Sequence, residues 1–144
     1  MSKIRLNPYL NFPGTCREAF AFYADCLGAD IVFQLTMGES PMADEVPKES
    51  HHHICHVCLQ GDGIVLMGSD CPPEYFEKAQ GTTLSVQADS VKEAETLFAA
   101  LAEGGEIKMP MEETPWAERF GMCNDRFGIP WMVNFDGSKA AYET

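Results

Sequence analysis

An internal duplication constrains the fold of this 144-residue chain more than any other feature. Residues 15–19 read Thr-Cys-Arg-Glu-Ala, and residues 90–94 read Ser-Val-Lys-Glu-Ala. In each segment a Glu lies three residues after a hydroxyl residue. This spacing predicts a capping box at the start of a helix. Apolar residues at helical spacing follow both boxes, and glycines at Gly28 and at Gly104–Gly105 predict where the helices end. The sequence therefore predicts two similar modules with one helix each.

Strand patterns surround both predicted helices. Apolar and polar residues alternate over residues 7–12 and 82–88, which predicts a strand before each helix. Three further strands are predicted after each helix, at residues 29–37, 52–60, 63–68, 106–111, 119–124 and 130–135. Each half thus reads β-α-β-β-β, and a hairpin is expected at Gly61-Asp62-Gly63. The prediction is an α+β fold in one domain, with a first module at about 4–70 and a second at about 80–136.

Composition and charge restrict the function classes. Apolar residues make up 45% and charged residues 22%, which is typical of a globular domain. The formal net charge of −12 disfavours nucleic acid and anionic membranes as partners. The sequence contains no apolar run long enough to span a bilayer and no signal-peptide pattern, so a cytoplasmic location is expected. The six cysteines are irregularly spaced, which favours free thiols over disulfides.

Several spaced motifs carry a family resemblance. They are Pro8-Tyr9-Leu10-Asn11-Phe12, Ala19-Phe20-Ala21-Phe22-Tyr23, Leu27-Gly28-Ala29, Trp116-Ala117-Glu118-Arg119-Phe120-Gly121, Asp125-Arg126-Phe127-Gly128 and Pro130-Trp131-Met132. Together with the paired modules they resemble the PhnB-like branch of the vicinal oxygen chelate superfamily, which includes glyoxalase I, bleomycin-resistance proteins and extradiol dioxygenases. The resemblance implies a glyoxalase-like fold in which a curved mixed sheet surrounds a cavity. It also implies a homodimer.

The resemblance implies metal ligands on the first and fourth strands of each module. Aligned on this sequence, those positions fall at Asn7, near Met67, at Thr83 and at Met132. An amide, a hydroxyl and two thioethers do not replace the imidazoles and carboxylates that Zn, Ni or Fe prefer. A shift of one residue brings no ligand either, because the neighbours are Leu66, Gly68 and Thr82. No metal is expected at the usual positions, and no other cofactor is indicated.

A displaced metal site is the alternative. Regular alternation over residues 52–58 would place His52, His56 and Cys58 on one face of a strand, which could hold a divalent metal. The competing interpretation places His51 to His53 at a partly solvated junction between loop and strand. Cys55 and Cys58 form a CxxC motif, but in a strand rather than at a helix start, which favours structural thiols.

The strand pattern also predicts which residues face the cavity. The candidate ligand-binding residues are Asn7, Tyr9, Asn11, Met67, Thr83, Ser85, Gln87, Trp116, Met132 and Asn134. Methionines beside amides and hydroxyls suit a small organic ligand, although the same residues could fill a core. A carboxylate at Glu112 or Glu113 beside Trp116 could have a raised pKa and serve as an acid or base.

Three hypotheses remain open at this stage. The first is a metal-free small-molecule-binding protein. The second is a metal-dependent lyase or dioxygenase that uses the displaced histidine site. The third is a structural or regulatory homodimer without chemistry.

Overall fold

A computed structural model describes residues 3–140. The chain divides into two compact units, Met1–Glu77 and Lys78–Thr144. In the part that the structure describes, each unit contains one α-helix and one four-stranded sheet.

The first module has the predicted β-α-β-β-β order. Its elements are β1 (Tyr9–Phe12), α1 (Cys16–Leu27), β2 (Asp30–Thr36), β3 (Ile54–Gly61) and β4 (Ile64–Asp70). The sheet order is β1-β4-β3-β2, in which β1 and β4 are parallel and the other pairs are antiparallel. Short 3-10 turns occupy the loop between β2 and β3. The β3–β4 hairpin turns at Gly63, whose φ of 71° favours glycine.

The second module repeats this arrangement. Its elements are β5 (Leu84–Gln87), α2 (Val91–Ala102), β6 (Glu106–Thr114), β7 (Ala117–Asn124) and β8 (Pro130–Phe135). The sheet order is β5-β8-β7-β6, again with a parallel pair at one edge. The predicted α+β fold of two β-α-β-β-β modules is confirmed. Three strand starts were predicted two residues too early, because β1 begins at Tyr9, β3 at Ile54 and β5 at Leu84.

The alternation in each first strand separates a helix side from an open face, which we define as the side of each sheet opposite its helix. Leu10 and Phe12 are buried, whereas Tyr9 and Asn11 are exposed. In β5, Ser85 and Gln87 are exposed in the same alternating way. The predicted parity of the two first strands is therefore confirmed.

The start of α1 differs from the prediction. Thr15 makes no side-chain cap, so the capping box expected there is absent. The carboxylate of Asp70 takes its place, because Oδ1 accepts from the backbone N–H groups of Gly14 (3.0 Å) and Cys16 (2.9 Å).

At the start of α2, one of the two hydrogen bonds of the expected capping box is formed. Ser90 Oγ accepts from the N–H of Glu93 at 3.0 Å, but Glu93 Oε1 accepts from Asp89 rather than from Ser90.

This difference gives a first testable prediction. Ser90→Ala removes a cap that the structure forms, and we expect it to lower the free energy of unfolding by about 1 kcal/mol. Thr15→Ala removes no cap and should change it by less than about 0.5 kcal/mol. Urea midpoints of the two variants beside the wild type measure the contrast. Equal losses would contradict the assignment of Asp70 as the cap of α1.

None of the six cysteines, all of which lie in the described part of the chain, forms a disulfide, as predicted. Cys16 and Cys123 are buried, and the other four are half-buried. Burial, assisted by the nearby Asp70 carboxylate, raises the pKa of the Cys16 thiol well above its ordinary value. The same two causes raise the pKa of Cys71. A raised pKa disfavours the thiolate form of both residues, which is the nucleophilic form.

Candidate functional site

The open face of the second module contains a recess with a volume of about 180 Å³. Five of the predicted cavity residues line it, and two further residues complete the lining. The lining residues are Ser85, Gln87, Trp116, Phe120, Met132, Asn134 and Asp136. The sequence reasoning missed Phe120 and Asp136. Alternation along β7 and the spacing of two residues after Asn134 are the signals that could have indicated them.

Register explains why these side chains meet. Ser85 pairs with Met132 and Gln87 with Asn134 across the parallel β5–β8 ladder. Phe120 lies opposite Asn134 across the antiparallel β7–β8 ladder. Residues opposite one another in a ladder share one face, so all five side chains project to the same side.

A chain of hydrogen bonds crosses the floor of the recess. Asn134 Nδ2 donates to Asp136 Oδ1 at 2.5 Å and to Gln87 Oε1 at 2.8 Å. Gln87 Nε2 in turn donates to Ser85 Oγ at 3.0 Å. A carboxylate only accepts, so Asp136 fixes the direction of the whole chain. The Ser85 hydroxyl, which accepts at the end of the chain, keeps its own proton available for a ligand.

One acceptor in this wall lacks a donor. Asn134 is 8% exposed, and its Oδ1 has no hydrogen-bond partner among the described residues. An unsatisfied buried acceptor is unfavourable by about 1–3 kcal/mol. The wall of the recess therefore contains an enclosed acceptor that no described residue satisfies.

An aromatic corner forms the apolar part of the recess. The rings of Trp116 and Phe120 contact edge to face, with 5.4 Å between centroids and 76° between planes. Trp116 is 51% exposed, although it lies beside the nearly buried Phe120. Large exposed indole surface beside polar groups is typical of a binding surface.

The carboxylate of Glu113 is not in the surroundings that the sequence suggested. Lys139 forms an ion pair with Glu113 and donates to the carbonyl of Thr114 at 2.8 Å. The hydrogen bond and the charge of Lys139 lower the pKa of Glu113 below its ordinary value. The hypothesis of a raised pKa is wrong for Glu113, because an ammonium group rather than the indole is its partner. This residue is not suited to act as a general acid at neutral pH.

The open face of the first module carries three more of the predicted residues, namely Tyr9, Asn11 and Met67. Tyr9 pairs with Met67, and Asn11 pairs with Ser69, across the β1–β4 ladder. The Tyr9 hydroxyl lies 3.1 Å from His56 Nδ1, and the two rings stack with centroids 5.6 Å apart. Asn7 and Thr83 lie outside the strands, so alternation does not place them on either open face.

The histidine cluster is divided between two surroundings. His52 lies in a turn before β3, with its ring 4.5 Å from that of His53, whereas His56 contacts Tyr9 and Phe33. Regular alternation from His52 to Cys58 was a wrong assumption, because β3 begins at Ile54 and contains a bulge.

The bulge is visible in the ladder with β2. Leu35 pairs with His56, but the next residue, Thr36, pairs with Ile54, which leaves Cys55 as the extra residue. Ile54 and Val57, three positions apart, are consequently both buried. Strand parity therefore changes within the segment that the displaced-site hypothesis treated as regular.

The donor atoms at the expected metal positions do not fit a divalent metal. Met67 lies opposite the Tyr9 phenol, and Met132 lies opposite the Ser85 hydroxyl. These thioethers and hydroxyls are poor ligands for Zn, Ni or Fe. Over residues 3–140, no group of three or more His, Cys, Asp or Glu side chains is arranged to hold a metal ion.

Comparison with known proteins identifies the family. The family model of the glyoxalase/bleomycin resistance protein/dioxygenase superfamily matches residues 5–133. The chain belongs to this superfamily. Protein YjdN of Escherichia coli is 35% identical over 137 residues, which cover 90% of this chain and 93% of YjdN. The predicted family resemblance is therefore confirmed.

Solved structures share this fold. Protein PA1353 from Pseudomonas aeruginosa is 44% identical with a TM-score of 0.85, covering 93% of this chain and 98% of PA1353. A PhnB protein from Bacillus cereus is 25% identical with a TM-score of 0.77, covering 92% of this chain and 99% of its own. Superfamily members often bind metal, while some are metal-free, and they are commonly dimeric and bind small molecules. In the described part of this member, no helix is long and apolar enough to cross a membrane.

Proposed function

We propose that this superfamily member is a metal-free small-molecule-binding protein whose ligand occupies the recess of the second module. The observation that carries the proposal is the recess itself, where an aromatic corner stands beside a directed chain of hydrogen bonds. Small-molecule sites in proteins combine apolar walls with a few oriented polar groups in this way.

The size and the walls of the recess restrict the ligand. A volume of about 180 Å³ is smaller than the roughly 300–1,000 Å³ of sites for drug-sized molecules. It suits one ring with a short polar extension. Met132 in the wall is flexible and polarizable, which allows the wall to adapt to the shape of an apolar ligand.

The binding groups belong to the protein itself. The donor set at the family's metal positions does not fit a divalent metal, so the proposal requires no metal-bound substrate oxygen. Oriented hydrogen-bonding groups are instead supplied by Ser85 and Asn134, and a charge by Asp136. Such groups fix the orientation of a ligand that the aromatic corner holds by apolar contact.

We further propose that the protein works as a homodimer. The edge strands β2 and β6 carry exposed apolar side chains, with Val32 55%, Phe33 50% and Ile107 54% exposed. Apolar residues exposed on edge strands are commonly covered by a second chain. Light scattering coupled to size exclusion is expected to give twice the 15.9 kDa mass of the chain, and a monomer would contradict this proposal.

Elemental analysis and NMR together test the proposed function. Untagged protein is purified without a nickel column, beside a His52→Ala/His56→Ala variant. We expect neither protein to contain stoichiometric metal, since the donor chemistry does not favour it.

An NMR screen tests ligand binding. Members of a fragment library should shift the Trp116 indole N–H signal, and addition of EDTA should not change this result. The Trp131 indole serves as an internal control, because it is buried and donates to Asp125 at 2.8 Å.

Two outcomes would overturn this proposal. Near-stoichiometric metal that disappears in the histidine variant would establish the displaced-site alternative and justify lyase and dioxygenase assays. Absence of any fragment that shifts Trp116 would favour a structural or regulatory homodimer.

A further inference from the structure

Two acceptor atoms at the recess have no donor among the described side chains. Asn134 Oδ1 has no donor, although its residue is 8% exposed and lines the recess. Asp136 uses Oδ1 to accept from Asn134, and no side chain of residues 3–140 forms an ion pair with this carboxylate. The second oxygen of Asp136 would therefore accept from an N–H group of a ligand, whereas Asn134 Oδ1 is enclosed in the wall.

The charged side chains near the recess also favour a cationic ligand. Glu118 lies next to the turn after β8, where its Oε2 accepts from the N–H of Ser138 at 2.6 Å. The one ammonium group in that turn, Lys139, is already paired with Glu113. The adjacent Arg119 is paired with Glu95. Asp136 and Glu118 are therefore neutralised by neither cation, which favours a negative potential beside Asp136. Such a potential attracts cations and disfavours anions.

The aromatic corner adjoins these acceptors. Phe120 lies directly opposite Asn134 in the β7–β8 ladder, and Trp116 contacts the Phe120 ring. A cation near the face of an indole is attracted by the ring electrons as well as by a neighbouring carboxylate. Aromatic surface, unpaired carboxylate and unsatisfied amide oxygen therefore occur side by side on one face.

We propose that the ligand of the recess is a small organic cation, with a flat apolar group against Trp116 and Phe120 and a protonated nitrogen at Asp136. This inference rests on the proposed function, because it assumes that a small molecule occupies the recess. The ammonium group donates to the free oxygen of Asp136, which Asn134 holds in place through its Nδ2 group. The Ser85 hydroxyl adds preference for a ligand that also carries a hydrogen-bond acceptor.

Three probes of nearly equal size separate charge from shape. Phenethylammonium, 2-phenylethanol and phenylacetate share the ring and the two-carbon spacer, and differ in being cationic, neutral and anionic. Titrations of ¹⁵N-labelled protein follow the indole N–H of Trp116, with Trp131 as the unperturbed reference. We expect the cation to bind about tenfold more tightly than the anion at low salt, with the alcohol in between. Added salt should reduce this preference.

Matched variants assign the preference to one residue. Asp136→Asn keeps an oxygen that can accept from Asn134 but removes the charge, and should bring the cation and anion within about threefold of each other. Glu103→Gln makes the same change of charge at the end of α2, on the helix side of the sheet, and should leave the tenfold preference intact. Glu118→Gln is a second charge variant at the entrance, for use if Asp136→Asn does not fold.

The outcomes distinguish the two proposals. Equal binding of the three probes, or a cation preference that survives in both Asp136→Asn and Glu118→Gln, would overturn the organic-cation inference and leave small-molecule binding intact. If none of the probes and no library fragment shifts Trp116, the proposed function fails together with the inference.

Discussion

Asp70→Ala is expected to lower the free energy of unfolding by about 3–5 kcal/mol. The Asp70 carboxylate is 5% exposed and accepts three backbone hydrogen bonds. Oδ1 accepts from Gly14 and Cys16, and Oδ2 accepts from Ile54 at 2.8 Å. Alanine leaves three backbone donors without partners, two of them in buried surroundings. Urea unfolding followed by circular dichroism measures the loss.

The effect of Asp70→Ala should be concentrated where three elements meet. Asp70 ends β4, while its partners precede or begin α1 and β3, so one carboxylate joins the helix start to two strands. We expect faster amide exchange at Cys16 and Ile54 than at residues of α2, because local opening precedes global unfolding.

Asp70→Asn provides a sharper control. Its amide oxygen can still accept from Gly14 and Cys16, but its NH₂ group would face the N–H of Ile54. We expect an intermediate loss, with the exchange at Ile54 affected more than the exchange at Cys16. A loss under about 1 kcal/mol for Asp70→Ala would show that water or rearranged backbone replaces the carboxylate.

Much of the fold could be predicted because the information was local. The helices followed from apolar spacing, and Gly28 ends α1 in the left-handed conformation that favours glycine, with φ of 62°. The open face of β1 and β5 followed from a period of two, which placed Tyr9 and Ser85 opposite the helices. These patterns depend on neighbours within a few residues, and no knowledge of tertiary pairing was needed.

The features that could not be predicted depend on long-range pairing. Asp70 replaces Thr15 as a cap because β4 ends beside the start of α1, although 54 positions separate Asp70 from Cys16. The bulge at Cys55 arises from the pairing of β3 with β2. Because the sequence does not show this bulge, simple alternation assigned the histidines to the wrong faces of the strand. Asp136 lies beyond the last predicted strand, and it lines the recess because the chain after β8 brings it beside Asn134. In each case the sequence shows the residue but does not show which distant residue it contacts in the fold.

Gly68→Ala should destabilise the first module by about 3 kcal/mol, and Gly68→Val by more. A Cβ atom at Gly68 would lie 2.6 Å from Phe20 Cε1 and 2.8 Å from the carbonyl oxygen of Leu10. Phe20 belongs to the buried face of α1, and Leu10 is paired with Gly68 in the parallel β1–β4 ladder. Neither the packed ring nor the backbone can move without disturbing the core, so the glycine is needed for space. Denaturant midpoints and thermal unfolding give the size of the loss.

Gly121→Ala is the matched control, because the cause of crowding differs. A Cβ atom there would lie 2.6 Å from Met111 Sδ and 2.9 Å from Phe98 Cε1. The methionine chain can rotate away and only the Phe98 ring must then shift, so we expect a smaller loss than for Gly68→Ala, of about 1–2 kcal/mol. Phe20→Leu combined with Gly68→Ala tests the ring contact directly. If crowding by the ring is the cause, the double variant will lose less stability than the sum of the single variants. If the two losses of stability add exactly, the Phe20 ring is not the cause. The close approach to the Leu10 carbonyl, which the double variant retains, would then explain the loss in Gly68→Ala.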